Sequence, residues 1–119
     1  EAQRWPEDFD GIIAGAPALL FQVQNSLHHG WLAMSNTGAD GKPIVTASRL
    51  PVLHQAVIAA CDGLDGEVDG LLADPRLCRF DVKTIQCAAG SDDVSACLTP
   101  REVEVVEKFY AGPRDPVSG

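Results

Sequence analysis

The sequence predicts a short α/β element at residues 1–18 followed by a mainly helical, loop-rich insert at residues 19–119. Three observations carry this. An apolar run, "GIIAGAPA" from Gly11 to Ala18, is bounded by glycines and a proline and follows a helix-like opening. Three later stretches place apolar residues at helical spacing. The segments between them are rich in Gly, Asp and Pro and are fenced by four cysteines.

Residues 1–9 read as the end of an amphipathic helix, with Trp5 and Phe9 on one face and charge on the other. Pro6 lacks the N–H that a helix interior needs, so the helix ends or kinks there. Ile12, Ile13 and Ala14 then form a continuous apolar run, the pattern of a strand buried on both faces in a parallel sheet. Helix, turn and buried strand together make an α/β-type unit. Leu20, Val23, Leu27 and Trp31 recur at helical spacing and predict the next helix. Residues 35–44, "SNTGADGKPI", read as a loop. A second helix is expected from about Ser48, a candidate N-cap, to Ala60, with Leu50, Leu53, Val57 and Ala60 as its apolar stripe. The clearest local signal is "LTPREVEVVEKFYAGP". There Thr99 caps, Pro100 takes the first helical position, Glu102 completes a capping box, and Gly112-Pro113 stops the helix. Val103, Val106 and Tyr110 should line its inner face.

The totals exclude several functions. With a net charge of −8, nucleic acid and anionic membrane are not expected partners. No apolar run reaches membrane-spanning length. At 45% apolar residues the composition suits a modest core. The chain opens on "EAQRWPEDFDG", which is no signal peptide, and is read as a piece of a larger protein. No serine sits in a Gly-x-Ser-x-Gly elbow, so no catalytic residue is assigned. His54 is read as structural, and His28-His29 as a solvated helix end.

The informative stretch is "CDGLDGEVDGLLADPRLC", Cys61 to Cys78. It holds Asp62, Asp65, Glu67, Asp69 and Asp74 against one cation, Arg76. Two carboxylates about 5 Å apart repel by about 1 kcal/mol even in water. Such a loop either splays its acids in solvent or holds a cation. Calcium prefers six to eight oxygens from carboxylates, carbonyls and water. Laid on the EF-hand pattern from Asp65, the loop puts Glu67 and Asp69 at the next two ligand positions. Gly70 then falls on the turn glycine, and Leu71 on the position that offers a backbone carbonyl. The twelfth position, where a bidentate Glu belongs, is Arg76, so only the first half of the motif is present. Asp62 could supply the missing carboxylate.

Four cysteines allow three connectivities, and no Cys-x-x-Cys pair argues for zinc. Sequential pairing, Cys61–Cys78 and Cys87–Cys97, would close two short polar loops and imply an oxidising compartment, secreted or periplasmic. Four reduced, buried thiols are the alternative.

Taken together, "EAQRWPEDFDGIIAGAPA", "AACDGLDGEVDGLLADPRLCRFD" and "CLTPREVEVVEKFYAGPRDPVSG" resemble the tannase and feruloyl esterase family, which includes terephthalate-monoester hydrolases. The resemblance implies an α/β-hydrolase whose lid is inserted after a core strand. Residues 1–18 would end a core helix and supply that strand, and residues 19–119 would begin the lid. It implies a Ser-His-Asp triad, outside this chain, that hydrolyses esters of aromatic acids. It also implies a structural calcium held by the side chains of Asp62, Asp65 and Asp69 and the carbonyls of Glu67 and Leu71. The same resemblance supports Cys61–Cys78 and Cys87–Cys97 and points to Leu20 and Phe21 as contacts to an aromatic acid. The remainder of the hydrolase and a small aromatic ester are the partners it implies. A non-catalytic calcium-binding interaction module is the competing reading.

Overall fold

In a computed structural model, which describes residues 3–18, 20–115 and 117, three α-helices carry the fold: α1 (Gly30–Ser35), α2 (Leu50–Cys61) and α3 (Pro100–Ala111). A π-helical stretch, Val23–His29, runs directly into α1. Short 3-10 turns occupy Pro6–Asp8, Ala47–Arg49, Asp62–Asp65, Pro75–Leu77 and Val82–Ile85.

α3 forms as its sequence requires. The Thr99 hydroxyl accepts from the Glu102 N–H at 3.3 Å, and a Glu102 carboxylate oxygen accepts from the Thr99 N–H at 2.7 Å. Two of the donors left unpaired at the helix start are thereby satisfied reciprocally. The helix stops at Gly112, whose φ of 68° an L side chain would resist. Its buried face is Val103, Val105 and Val106, and Phe109 packs beside them. Tyr110, expected inward, is mostly exposed. Val105 was not expected and is buried because the α3 valines are wrapped from two sides, with Leu98, Val45 and Val82 completing the core.

α2 starts later than its sequence suggests. Ser48 lies inside the 3-10 turn Ala47–Arg49 and bonds the Thr46 hydroxyl at 2.9 Å instead of capping a helix N–H. The helix begins at Leu50, with Pro51 in its first turn where a missing N–H costs nothing. Leu50 and Ala60, expected on the inner stripe, face solvent, while Val52 and Leu53 pack on the core. The segment before α2 is pinned by one amide. Asn36 donates through Nδ2 to the Val45 carbonyl at 2.9 Å and accepts from the Val45 N–H at 2.7 Å. Trp31 joins α1 to α3, its indole Nε1 donating to the Lys108 carbonyl at 3.0 Å.

The N-terminal expectations are corrected. Among the described residues, 3–9 hold only the 3-10 turn Pro6–Asp8, not the end of an α-helix; residues 1 and 2 lie outside those described. The run Gly11–Ala18 is coil. No strand occurs among the described residues, only isolated bridges at Thr37–Pro43 and Gln86–Leu98. A parallel strand exists only where neighbours complete its hydrogen-bond ladder, and these residues have none here. Ile13 is fully exposed, and Ala16 sits at φ 47°, a left-handed conformation that interrupts any extended run. With this arm extended, the radius of gyration is 19.4 Å, against about 13–14 Å for a compact chain of this length.

Candidate functional site

The acidic loop is placed by α2, which ends at Cys61 and passes directly into the 3-10 turn Asp62–Asp65. Gly66 and Gly70 then take φ of 97° and 82°. These two reversals need glycine, because a Cβ in that region clashes with the backbone. They return the chain toward Cys78, which is bonded to Cys61 with Cα atoms 5.5 Å apart. The second bridge, Cys87–Cys97, has its Cα atoms 5.0 Å apart, and there is no free cysteine. Both sequential pairings are therefore present, and the reduced-thiol alternative is set aside.

The carboxylates hold the loop's shape by accepting backbone N–H groups. Asp62 is buried, and its Oδ1 accepts from the Gly70 N–H at 3.0 Å across the loop. Asp65 accepts from the Glu67 N–H and, through its other oxygen, from the Ala73 N–H, each at 3.1 Å. These bonds favour the ionised form, so the Asp65 carboxyl is held below the usual carboxylate range, the Glu67 N–H contributing most. Asp69 accepts from the Leu71 N–H at 3.0 Å. Asp74 takes the loop's one cation: Arg76 bonds it through Nε and Nη2, each at 2.8 Å. Among the described residues no ion pair reaches Asp62, Asp65, Glu67 or Asp69.

As a donor set this suits a hard divalent cation. The available atoms are carboxylate and carbonyl oxygens, and a buried carboxylate without a counter-cation is costly. The oxygens are not gathered, however. Among the described residues no three His, Cys, Asp or Glu side chains converge to hold a metal ion.

The other positions singled out in the sequence lie in and beside the helical stretch that leads into α1. Leu20 and Phe21 are 70% and 62% exposed at the start of the helical stretch. His29 Nδ1 bonds Asn25 Oδ1 at 2.9 Å, and both histidines of the pair are exposed. No helix among the described residues is long and apolar enough to cross a membrane.

Arg49 carries no signal in its local sequence. Its guanidinium bonds Glu102 through Nε at 2.6 Å and Nη2 at 3.2 Å, the Val94 carbonyl at 2.8 Å and the Cys97 carbonyl. One side chain thus ties the start of α2, the Cys87–Cys97 loop and the cap of α3. No local pattern could have revealed it, since its partners lie 45 to 53 residues away.

A disulfide-stapled, helical segment with an acidic, glycine-turned loop is the class of structure this defines. Comparison with known proteins gives the family. The tannase and feruloyl esterase family model matches residues 1–119, and the chain belongs to that family. It is 38% identical over 118 residues to an uncharacterised esterase of Xanthomonas campestris pv. campestris. It is 36% identical over 110 residues to a probable feruloyl esterase B-1 of Aspergillus fumigatus. It covers 20% of each of these relatives, while the alignments take in 99% and 92% of this chain. Among solved structures, feruloyl esterase B from Aspergillus oryzae superposes with a TM-score of 0.69 at 36% identity, over 89% of this chain and 21% of that one. An esterase from the same organism gives 0.73 at 33% identity, over 98% and 22%. The chain therefore spans about a fifth of the length of the relatives it matches.

Proposed function

We propose that this chain is part of a secreted or periplasmic serine esterase that hydrolyses esters of aromatic acids. The observation that carries the reading is the family match over residues 1–119, joined to 36% identity with a feruloyl esterase B structure. Residues 1–18 belong to the α/β-hydrolase core and residues 19–119 begin the lid. Acyl transfer needs a serine, a histidine that takes its proton, an acid that orients the histidine, and N–H donors for the oxyanion. The remainder of the polypeptide supplies these. This chain contributes lid, with Leu20 and Phe21 offered to an aromatic acid. Two disulfides support an oxidising compartment.

The test is turnover. A full-length protein carrying these residues should hydrolyse methyl ferulate and be silenced by a serine-directed inhibitor, whereas the 119-residue chain alone should not turn it over. Inhibitor-sensitive hydrolysis by the chain alone, or an inert full-length protein that instead binds another protein when calcium is added, would overturn the reading.

The acidic loop is the seat of a structural calcium ion in this reading. The side chains of Asp62, Asp65 and Asp69 and the carbonyls of Glu67 and Leu71 are the ligands. Support comes from the oxygen-only donor set, the buried Asp62 without a cation, and a ring closed by Cys61–Cys78. An ion that binds only the folded loop stabilises by RT ln(1 + [L]/Kd), about 2.7 kcal/mol at a hundredfold excess over Kd. Calcium should raise the melting temperature relative to chelator, and magnesium should raise it less. Asp69→Ala should abolish most of the shift and Glu67→Gln little of it. Equal damage from both variants would reject the ligand assignment, and no response to chelator in metal-stripped protein would reject calcium itself.

A further inference from the structure

A cleft of about 410 Å3 opens where α2, α3 and the end of the disulfide-closed loop meet. Val57 of α2, Leu72, Pro75 and Phe80 form its apolar walls, and Arg79 and Tyr110 of α3 bring the polar groups. The walls are set firmly. Phe80 packs on the core, and Cys78, the anchor of the neighbouring bridge, also lines the cleft. In an otherwise acidic chain, Arg79 is an unneutralised cation. Its Nη1 donates to the Arg76 carbonyl at 2.7 Å, and no carboxylate among the described residues pairs with it. Tyr110 adds a phenol, which burial pushes further toward its neutral, donating form.

We propose that this cleft binds a small single-ring aromatic carboxylate, its ring between Phe80 and Val57 and its carboxylate on Arg79, with Tyr110 as a second donor. The size falls in the range of about 300–1,000 Å3 usual for small-molecule sites, and apolar walls with one or two polar groups are their usual composition. A guanidinium at an apolar wall selects an anion with a flat apolar body. It bonds the carboxylate with charge assistance, while the wall gains from covering the ring. A neutral ring loses the first contribution and a small aliphatic anion loses the second. The site does not depend on the esterase or calcium readings, because every residue in it belongs to this chain and none is a proposed metal ligand.

Benzoate titrated into the isotope-labelled chain, followed by amide NMR, is the test. Saturable shifts should centre on Val57, Phe80 and Tyr110. Benzamide and acetate should each bind about tenfold more weakly or worse. Arg79→Gln, at an exposed position that leaves the fold intact, should weaken benzoate by about the same factor, and Tyr110→Phe by less. Benzamide binding as tightly as benzoate, acetate reproducing the shifts, or an Arg79→Gln chain that binds normally would each overturn the proposal. So would the absence of saturation, which would make the cleft a packing surface for another polypeptide segment.

Discussion

Leu98→Ala should destabilise the chain by about 2–5 kcal/mol, the range for removing a buried leucine whose neighbours cannot collapse into the space. Leu98 is 1% exposed at the centre of the small core formed with Val82, Val103 and Val106. Its backbone is fixed as well. Its N–H donates to the Ile85 carbonyl at 2.8 Å, and its carbonyl accepts from the Cys87 N–H at 2.7 Å. With the bridge at Cys97 next door, the chain cannot relax inward to fill the void. Met34→Ala serves as the control, since Met34 is 77% exposed and should change stability by less than about 0.5 kcal/mol. Urea unfolding of both variants decides it. Equal losses would mean that the core lies elsewhere.

Glu102→Ala should cost about 3 kcal/mol. Removing one partner of a buried pair typically costs about 3–5 kcal/mol. The lower end applies because Arg49 keeps the Val94 and Cys97 carbonyls as acceptors. The side chains are only 16% and 8% exposed for Arg49 and Glu102. The loss combines the ion pair with half of the α3 capping box. Burial by itself would push the Glu102 carboxyl up. The Arg49 guanidinium and the Thr99 N–H and hydroxyl outweigh it and hold the carboxyl below its ordinary value. The sign of the pH dependence follows. A carboxyl lowered on folding contributes stability that is present above its unfolded pKa of about 4.3 and is lost as pH falls through the folded value. Wild type should therefore lose stability on acidification below about pH 4.3 more steeply than Glu102→Gln, which cannot titrate there. Parallel profiles for the two proteins would remove Glu102 from the account.

Legibility in the sequence followed the range of the interactions. The α3 cap was readable because Thr99, Pro100, Glu102 and Gly112 act within one helix and its ends. One of the loop's reversals was readable at Gly70, on the turn position of the motif, where left-handed backbone needs glycine. Ser48 misled because a hydroxyl before an apolar run suits a 3-10 turn as well as a cap. Gly11–Ala18 misled for a deeper reason. An apolar run reports that burial is required, but the strand is made by neighbours, and the described residues provide none. The Arg79 cleft and the Arg49 contacts escaped because each joins segments far apart in the chain. For the acidic loop, composition gives the donor type, but the positions of the oxygens depend on which N–H groups they meet.

The Cys87–Cys97 bridge has a consequence for how this region tolerates change. Residues 88–96 are all exposed, and their two ends are covalently fixed 5.0 Å apart. Apart from the Val94 carbonyl that Arg49 uses, the core asks nothing of them. Enlarging a flexible loop costs only about 0.6 kcal/mol per doubling of its length. The turn at Ala89-Gly90 is therefore a port for grafted peptides or labels, where additional sequence stays outside the register of α3 and of the strand-like bridge at Leu98.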